Sequence, residues 1–329
     1  MEQESRWRWG SHRWLVLLLI GLSAFIAYGL GLNPLQPHVQ IAPEALSSTF
    51  TLPILGEFQL TNTLVAMLLA DLVLLLLALT LRQGMRGGKM VLSGLAAVVE
   101  TLVEALYNLA ESTAGKWTKT IFPWMATIIL LVLVANYTEL FPGVDSVGLF
   151  EPGHVHEAEA CQFDTAFRLG NMEVVAVKGT DKECAAAVVP FVRVVSTDLN
   201  FTLALAIIGV VMTQVIGIRA LGLSYFTKFF NIHTLFNRPM FGAIDFIVSL
   251  LEALLEGVKV LSFSLRLFGN IFAGSVLLFV IGALVPVFLQ SGVLLFEFFV
   301  GTIQALVFGM LVLIFMSLAT VGHGTEEGH

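Results

Sequence analysis

Charge is what this chain has least of. Of its 329 residues only 12% are Asp, Glu, Lys or Arg, while 57% are hydrophobic and the mean hydropathy is +0.88. A water-soluble domain needs far more charge to cover its surface. The soluble classes are therefore excluded, and the chain reads as a polytopic membrane protein. Cysteine is scarce as well: Cys161 and Cys184 are the two, with no CxxC spacing and no Cys/His grouping to suggest a metal site. No GxxxxGK[ST] run occurs, so any nucleotide chemistry belongs to partners. The formal net charge of -7 gathers in one loop and the tail, which gives no footing for nucleic acid. No cofactor is implied.

What is present is a series of apolar runs near the ~20 residues that a helix needs to cross a bilayer. Residues 14–32 form the first, preceded by Arg6, Arg8 and Arg13 with Trp7 and Trp9 among them. A cleaved signal peptide and a retained helix both fit. The run is longer than a signal core and no clean Ala-x-Ala site follows, which favours retention. Residues 62–81 form the second, closed by Arg82, Arg86 and Lys89. Residues 93–117 differ. Leu95, Val98, Val99, Leu102, Val103, Leu106 and Leu109 recur at i, i+3 and i+4, while Glu100, Glu104, Asn108 and Glu111 take the other face. That pattern describes an amphipathic helix lying on the membrane. Residues 121–140 cross again, ended by Phe141-Pro142-Gly143.

Residues 144–198 are a polar insertion. The β-branched runs 172–177 and 189–195 flank Lys178-Gly179-Thr180-Asp181 and suggest a small β-hairpin. Residues 199–218 cross, 219–240 form a polar loop, and 241–289 and 293–320 are two long apolar segments before the tail. The fold class is thus all-α, with membrane-spanning helices, one interfacial helix and a C-terminal pair of long tilted helices. Five segments follow: 1–61 with the extra helix, 62–143, the insertion 144–198, 199–240, and 241–329.

Basic residues on the cytoplasmic side orient such chains. Eleven of the seventeen Lys and Arg fall before residue 14, between 82 and 119, or between 219 and 238, all on one side if the spans alternate. The insertion has four basic against nine acidic residues and falls on the other side. This places the N-terminus in the cytoplasm and the insertion in the periplasm of a bacterial inner membrane. In that oxidising compartment two readings stand for Cys161 and Cys184, a disulfide or two free thiols.

The segment 241–289 holds the chemistry. On a helix, Asp245, Ser249, Glu252, Glu256, Lys259, Arg266 and Asn270 fall within about a 100° arc, the width of one face. Arg266 is the sharpest member. A guanidinium keeps its proton at any accessible pH, and holding one at bilayer depth costs ~3 kcal/mol or more. No acid lies three or four residues from Arg266, so its counter-charge has to come from another helix or another chain. For Lys259 with Glu256 or Glu252, an intrahelical ion pair is the plain alternative to a role on an ion path. Gly257, Gly269, Gly274 and Gly282 thin the helix and permit close approach by a neighbour.

The last segment offers Glu297 and Gln304, seven residues apart and so on one face. Burial raises a carboxyl pKa towards proton-exchanging range. A salt bridge from Glu297 to Arg266 or Lys259, and a structural hydrogen bond from Gln304, remain the plain alternatives. Asp71 and Glu139 are single acids at membrane depth or its edge, and both a functional role and a satisfied structural hydrogen bond stand as readings for them. His154 and His156 form a weak metal signal only.

Residues 261–274, LSFSLRLFGNIFAG, resemble the signature of subunit a of the F-type ATP synthase. Ser196-Thr197-Asp198-Leu199-Asn200, Gly222-Leu223-Ser224-Tyr225-Phe226 and Ile303-Gln304-Ala305-Leu306-Val307-Phe308 are similar to other segments of that family, and the likeness runs from about residue 62 to the end. The resemblance implies that Arg266 is the family's essential arginine and Asn270 its following asparagine. It implies that Lys259 is a frequent basic position, and that Glu297 and Gln304 line a proton half-channel. Ser275 departs from it, since many members hold an ionisable residue there. It also implies partners: a rotating ring of small hairpin subunits each with a membrane carboxyl, a peripheral stalk of the subunit b type, and indirectly the F1 sector. The chain itself would be non-catalytic. A stand-alone ion-coupled secondary transporter is the other reading. It would show inverted repeats, and none is visible.

Overall fold

The computed structural model describes residues 42–46, 50–52, 56–86, 94–141, 144, 148–152, 163–169, 172–177, 186–222, 225, 239–284 and 288–321, with 14, 17–19, 21, 22 and 25. Six helices dominate: α1 (Asn62–Arg86), α2 (Leu95–Ala114), α3 (Thr118–Tyr137), α4 (Leu199–Leu221), α5 (Pro239–Leu284) and α6 (Phe288–Ala319). Among the described residues, five helical stretches are long and apolar enough to cross a membrane, 62–84, 96–140, 199–221, 247–282 and 289–319. The chain is a multi-pass membrane protein of the all-α class. The described residues among 14–25 are also helical.

The second stretch contains both α2 and α3, which part at Gly115, where φ is +51°. A left-handed backbone favours glycine there. On α2, Leu106, Ala110 and Ala114 are buried at i, i+4, i+8, whereas Glu100, Glu104 and Glu111 are exposed. The amphipathic reading holds, with one apolar exception: Val98 is 69% exposed. Asp198 starts α4 by accepting from the Asn200 backbone N–H at 2.9 Å, which satisfies one of the orphan donors of a helix start. Helix α5 has 46 residues. At ~1.5 Å per residue it is about 69 Å long, against a hydrocarbon core of ~30 Å, so it has to tilt strongly to stay in the bilayer. It ends at Leu284, two residues before Pro286, earlier than the apolar run alone suggests.

Contacts divide the chain into two units. One comprises 41–141, 193–273 and 297–329. Its core joins Ile121, Met125, Ile129 and Val132 of α3, Leu205 and Ile216 of α4, Phe263, Leu267 and Ile271 of α5, and Phe308, Val312, Leu313 and Met316 of α6. Small residues let α6 approach. A Cβ on Gly309 would run into Ile129, and one on Gly209 would lie 3.2 Å from Val312. Residues 50–52 and 56–58 (β1 and β2) pair antiparallel ahead of α1.

The other unit comprises 1–40, 142–192 and 274–296. It holds four strands: β3 (Gly148–Pro152), β4 (Phe163–Leu169), β5 (Met172–Val177) and β6 (Ala186–Pro190). The strand expected at 172–177 is present, but its partner differs. It pairs with β4 in a register that brings Leu169 opposite Met172. Gly170 and Asn171 lie between, the residue types favoured in two-residue hairpin loops. The run 189–195 is strand only to Pro190, which pairs with β3 instead, and Val195 already belongs to a 3-10 turn. Alternation of β-branched residues identified strands but not partners, because pairing is set by turn chemistry rather than by propensity. Cys161 and Cys184 lie outside the described residues, as do His154 and His156.

Candidate functional site

Three groups of polar residues stand out in the larger unit. The first is the open face of α5. Phe263, Ser264, Leu267 and Ile271 turn inward, with Ser264 Oγ 3.1 Å from Thr202 Oγ1 of α4. That geometry turns Arg266 and Asn270 outward, and both are exposed. Among the described residues Arg266 makes no ion pair, so the expected counter-charge is not supplied by them. Around it Gly257 and Gly269 have open space where a Cβ would stand, and Leu261 and Leu265 are exposed. The polar stripe therefore does not share one environment. Ser249 is buried, Glu252, Glu256 and Lys259 are half-buried, and Arg266 and Asn270 face out. The side chain of Asp245 lies outside the described residues.

The second group begins about two helical turns before Arg266 along α5. Lys259 Nζ is 2.8 Å from Glu256 Oε1, the intrahelical i,i+3 pair. It also lies 4.5 Å from the centroid of the Phe315 ring on α6, a cation–π contact. Nearby the Tyr225 hydroxyl donates to Gln214 Oε1 at 2.6 Å, and the Tyr225 ring covers Gly217 so closely that any Cβ there would collide with it. Burial, then the carboxylates of Glu256 and Glu252, push the Tyr225 phenol up to about 12. Tyr225 is thus a donor at every physiological pH.

The third group was legible beforehand only in its acids. Asn136, near the end of α3, donates through Nδ2 to the Gly301 carbonyl of α6 at 3.2 Å and accepts from Ser196 Oγ at 2.6 Å. Tyr137 shares a hydrogen bond of 2.7 Å with Thr302 and stacks on Phe298 at 5.1 Å. Thr63 Oγ1 donates to Asp198 Oδ2 at 3.0 Å. Glu139 and Glu297 are both buried here, and Glu297 is one turn from Gly301 on α6. Gln304 is half-buried on the same helix. The salt-bridge alternative for Glu297 is not realised, because Lys259 pairs with Glu256 and Arg266 with no described residue. The structure thus adds Asn136 and Ser196 to Glu297, while Glu139 was already among the acids noted in the sequence. The available signal was one amide and one acid closing an otherwise apolar run, with Ser196 just ahead of the next span. Ser275 is half-buried on α5 and falls in the smaller unit.

A family model described as "ATP synthase A chain" matches residues 63–317. The chain is similar to "ATP synthase subunit a" of Shewanella sediminis, 34% identical over 172 residues, 49% of this chain and 63% of that protein. It is similar to the subunit a of Moorella thermoacetica, 25% identical over 230 residues, 70% of this chain and 78% of that protein. To the subunit a of Vibrio alginolyticus it is 36% identical over 136 residues, 40% and 49% of the two. The chain thus matches less than two thirds of the Shewanella and Vibrio relatives' own length. The span matched by the family model includes Arg266, Glu297 and the Asn136 group, and the chain belongs to the ATP synthase A chain family.

Proposed function

We propose that this chain is the proton-conducting stator of an F-type ATP synthase membrane sector in a bacterial inner membrane. It would carry no catalytic step of its own. Its partners would be a rotating ring of hairpin subunits with membrane carboxyls, a peripheral stalk, and through them the F1 sector. The observation that carries this reading is the outward Arg266, which has no ion pair among the described residues. A permanent charge at membrane depth implies an anionic partner from another chain.

The physics is simple. A ring carboxyl arriving beside Arg266 is favoured as the anion and releases its proton. At ~4 Å and an effective dielectric of ~20 the attraction is ~4 kcal/mol, or about three pKa units. That suffices to discharge a protonated site. The same charge repels a proton that would otherwise leak straight across. Glu297, with Asn136, Ser196, Glu139 and Gln304, supports a polar path on the periplasmic side. Glu252, Glu256 and Lys259 support one on the cytoplasmic side, with Asn270 between. Each elementary charge that crosses gains ~2.3 kcal/mol per 100 mV, which the complex would use for ATP formation.

The test is ATP-driven proton uptake into membrane vesicles from cells carrying Arg266→Ala. Lost uptake with the complex still assembled is expected. Wild-type uptake in that variant would remove the reading.

A further inference from the structure

The larger unit has a second lone charge that the proposed ion path does not use. Asp71 is the single acid of α1. It follows Asn62 by nine residues and precedes Arg82 by eleven. At ~1.5 Å per residue that puts it about 14 Å and about 17 Å from the two polar ends, the middle of a hydrocarbon core of ~30 Å. The sequence left two readings open there, a satisfied structural hydrogen bond and a functional role. The structure overturns the first: Asp71 is exposed and, among the described residues, makes no hydrogen bond or ion pair.

Its surroundings explain why. Thr63, Ala66 and Ala70 form the buried stripe of α1, and Asp71 stands about 100° from Ala70 on the flank. One turn to either side are Leu68 and Leu75, both exposed, with no polar group. The side chain is too short to reach either interface from mid-depth, unlike lysine or arginine. An acid in hydrocarbon with no hydrogen-bond partner is unfavourable whether charged or protonated. Of the five candidate spans, the one in α1 is also the least covered, with 11% of its window buried inside the chain against 22% to 44% for the others.

We propose that the flank of α1 centred on Asp71 docks a single membrane-spanning helix of another subunit, one that bears a lysine or arginine at mid-depth. Charge complementarity selects this occupant. A lone basic side chain on such a helix suffers the same cost as Asp71, and pairing relieves both. Leu68 and Leu75 supply the packing above and below. The open face of α5 carries the opposite charge at Arg266 and so suits a different, anionic partner. This site rests on membership in a multisubunit family but not on the proton role of Arg266.

A photoactivatable residue replacing Leu75 in membranes with the assembled complex tests it, with mass spectrometry of the adduct. The expected product joins this chain to a spanning segment of a different subunit, within about one helical turn of a lysine or arginine. Alongside, Asp71→Leu should lower recovery of that subunit about tenfold on purification, and Asp71→Glu should restore it. An adduct to lipid alone, to residues 14–32, to a second copy, or to a helix without a basic residue at that depth overturns the proposal. So does unchanged recovery in Asp71→Leu. Because the Leu75 adduct forms with Asp71 intact, it reads out even if Asp71→Leu fails to fold. Proton uptake in the Arg266→Ala membranes is a separate readout, so the two readings fail separately.

Discussion

The contact of α6 with α3 and the outward face of α5 use the same residue types to opposite ends. Between α3 and α6, Gly301 and Gly309 admit Asn136 and Ile129 at close range. Asn136, Ser196, Tyr137 and Thr302 there all find hydrogen-bond partners within the chain. On α5, Gly257 and Gly269 have nothing near them, and Arg266 has no ion pair among the described residues. Glycine at the first place closes a permanent contact. At the second it leaves a smooth surface. A membrane protein that satisfies its polar groups where neighbours are fixed, and leaves a costly charge open elsewhere, is what the proposed function requires, since there the partner arrives and departs.

The sharpest way to break the comparison is at its open side. Arg266→Lys is expected to lower coupled ATP synthesis about a hundredfold or more, since a desolvated lysine can lose its proton and lacks the planar fork. Arg266→Ala should match it. Substantial synthesis in either variant would mean that the open charge is structural. The closed side is tested next by Gly309→Val. A side chain there meets Ile129 in the core, so a loss of ~1–3 kcal/mol is expected, seen as a lower unfolding midpoint and poorer accumulation in membranes. Gly269→Val, on the open face, should leave the unfolding of the isolated chain unchanged and impair only the assembled complex. Equal destabilisation by both would erase the contrast.

How far these two regions could be read beforehand follows the same division. The open side was legible because an unpaired charge in an apolar run is conspicuous in one dimension, as with Arg266. The helices were legible for a similar reason: their length and apolar period need no knowledge of neighbours, and the ends of α1, α3 and α4 fall within a few residues of the apolar runs. The closed side was not legible. Asn136 is unremarkable in sequence, Ser196 entered only as part of a family-like segment, and their pairing joins residues sixty positions apart. The glycines singled out on α5 proved open at 257 and 269 but close-packed at 282, where a Cβ would lie 3.2 Å from Gln290, while 209, 217, 301 and 309, which also pack closely, attracted no notice. Only tertiary contact tells the two kinds apart. The strand partners in the insertion failed for the same reason.

Between the two sides stands Glu297, buried on α6 beside the closed cluster but proposed to serve the open one. Glu297→Gln keeps the shape and removes the exchangeable proton. Proton uptake in vesicles should slow by about tenfold, in keeping with the ~10²–10⁴ range of positioned proton transfer reduced by parallel water routes. Asn136→Val should cost ~1 kcal/mol of stability, the scale of an interhelical hydrogen bond in a membrane, and slow uptake less. Wild-type flux in Glu297→Gln would place that acid with the structural cluster.

The smallest expected effect sharpens the comparison at Tyr225, which is closed by its ring and open by its charge environment. Tyr225→Phe keeps the ring over Gly217 and removes the hydroxyl that donates to Gln214. A loss of ~1 kcal/mol is expected near pH 8. The sign of its pH dependence follows from the raised pKa. The fold favours the protonated phenol, so its contribution is whole below the ordinary value of 10.0 and is lost as pH rises towards about 12. The phenylalanine variant has no proton to lose. The gap between the two unfolding midpoints in detergent should therefore shrink from pH 8 to pH 11. A gap that widens with pH would mean that neither burial nor the carboxylates of Glu256 and Glu252 raise the phenol.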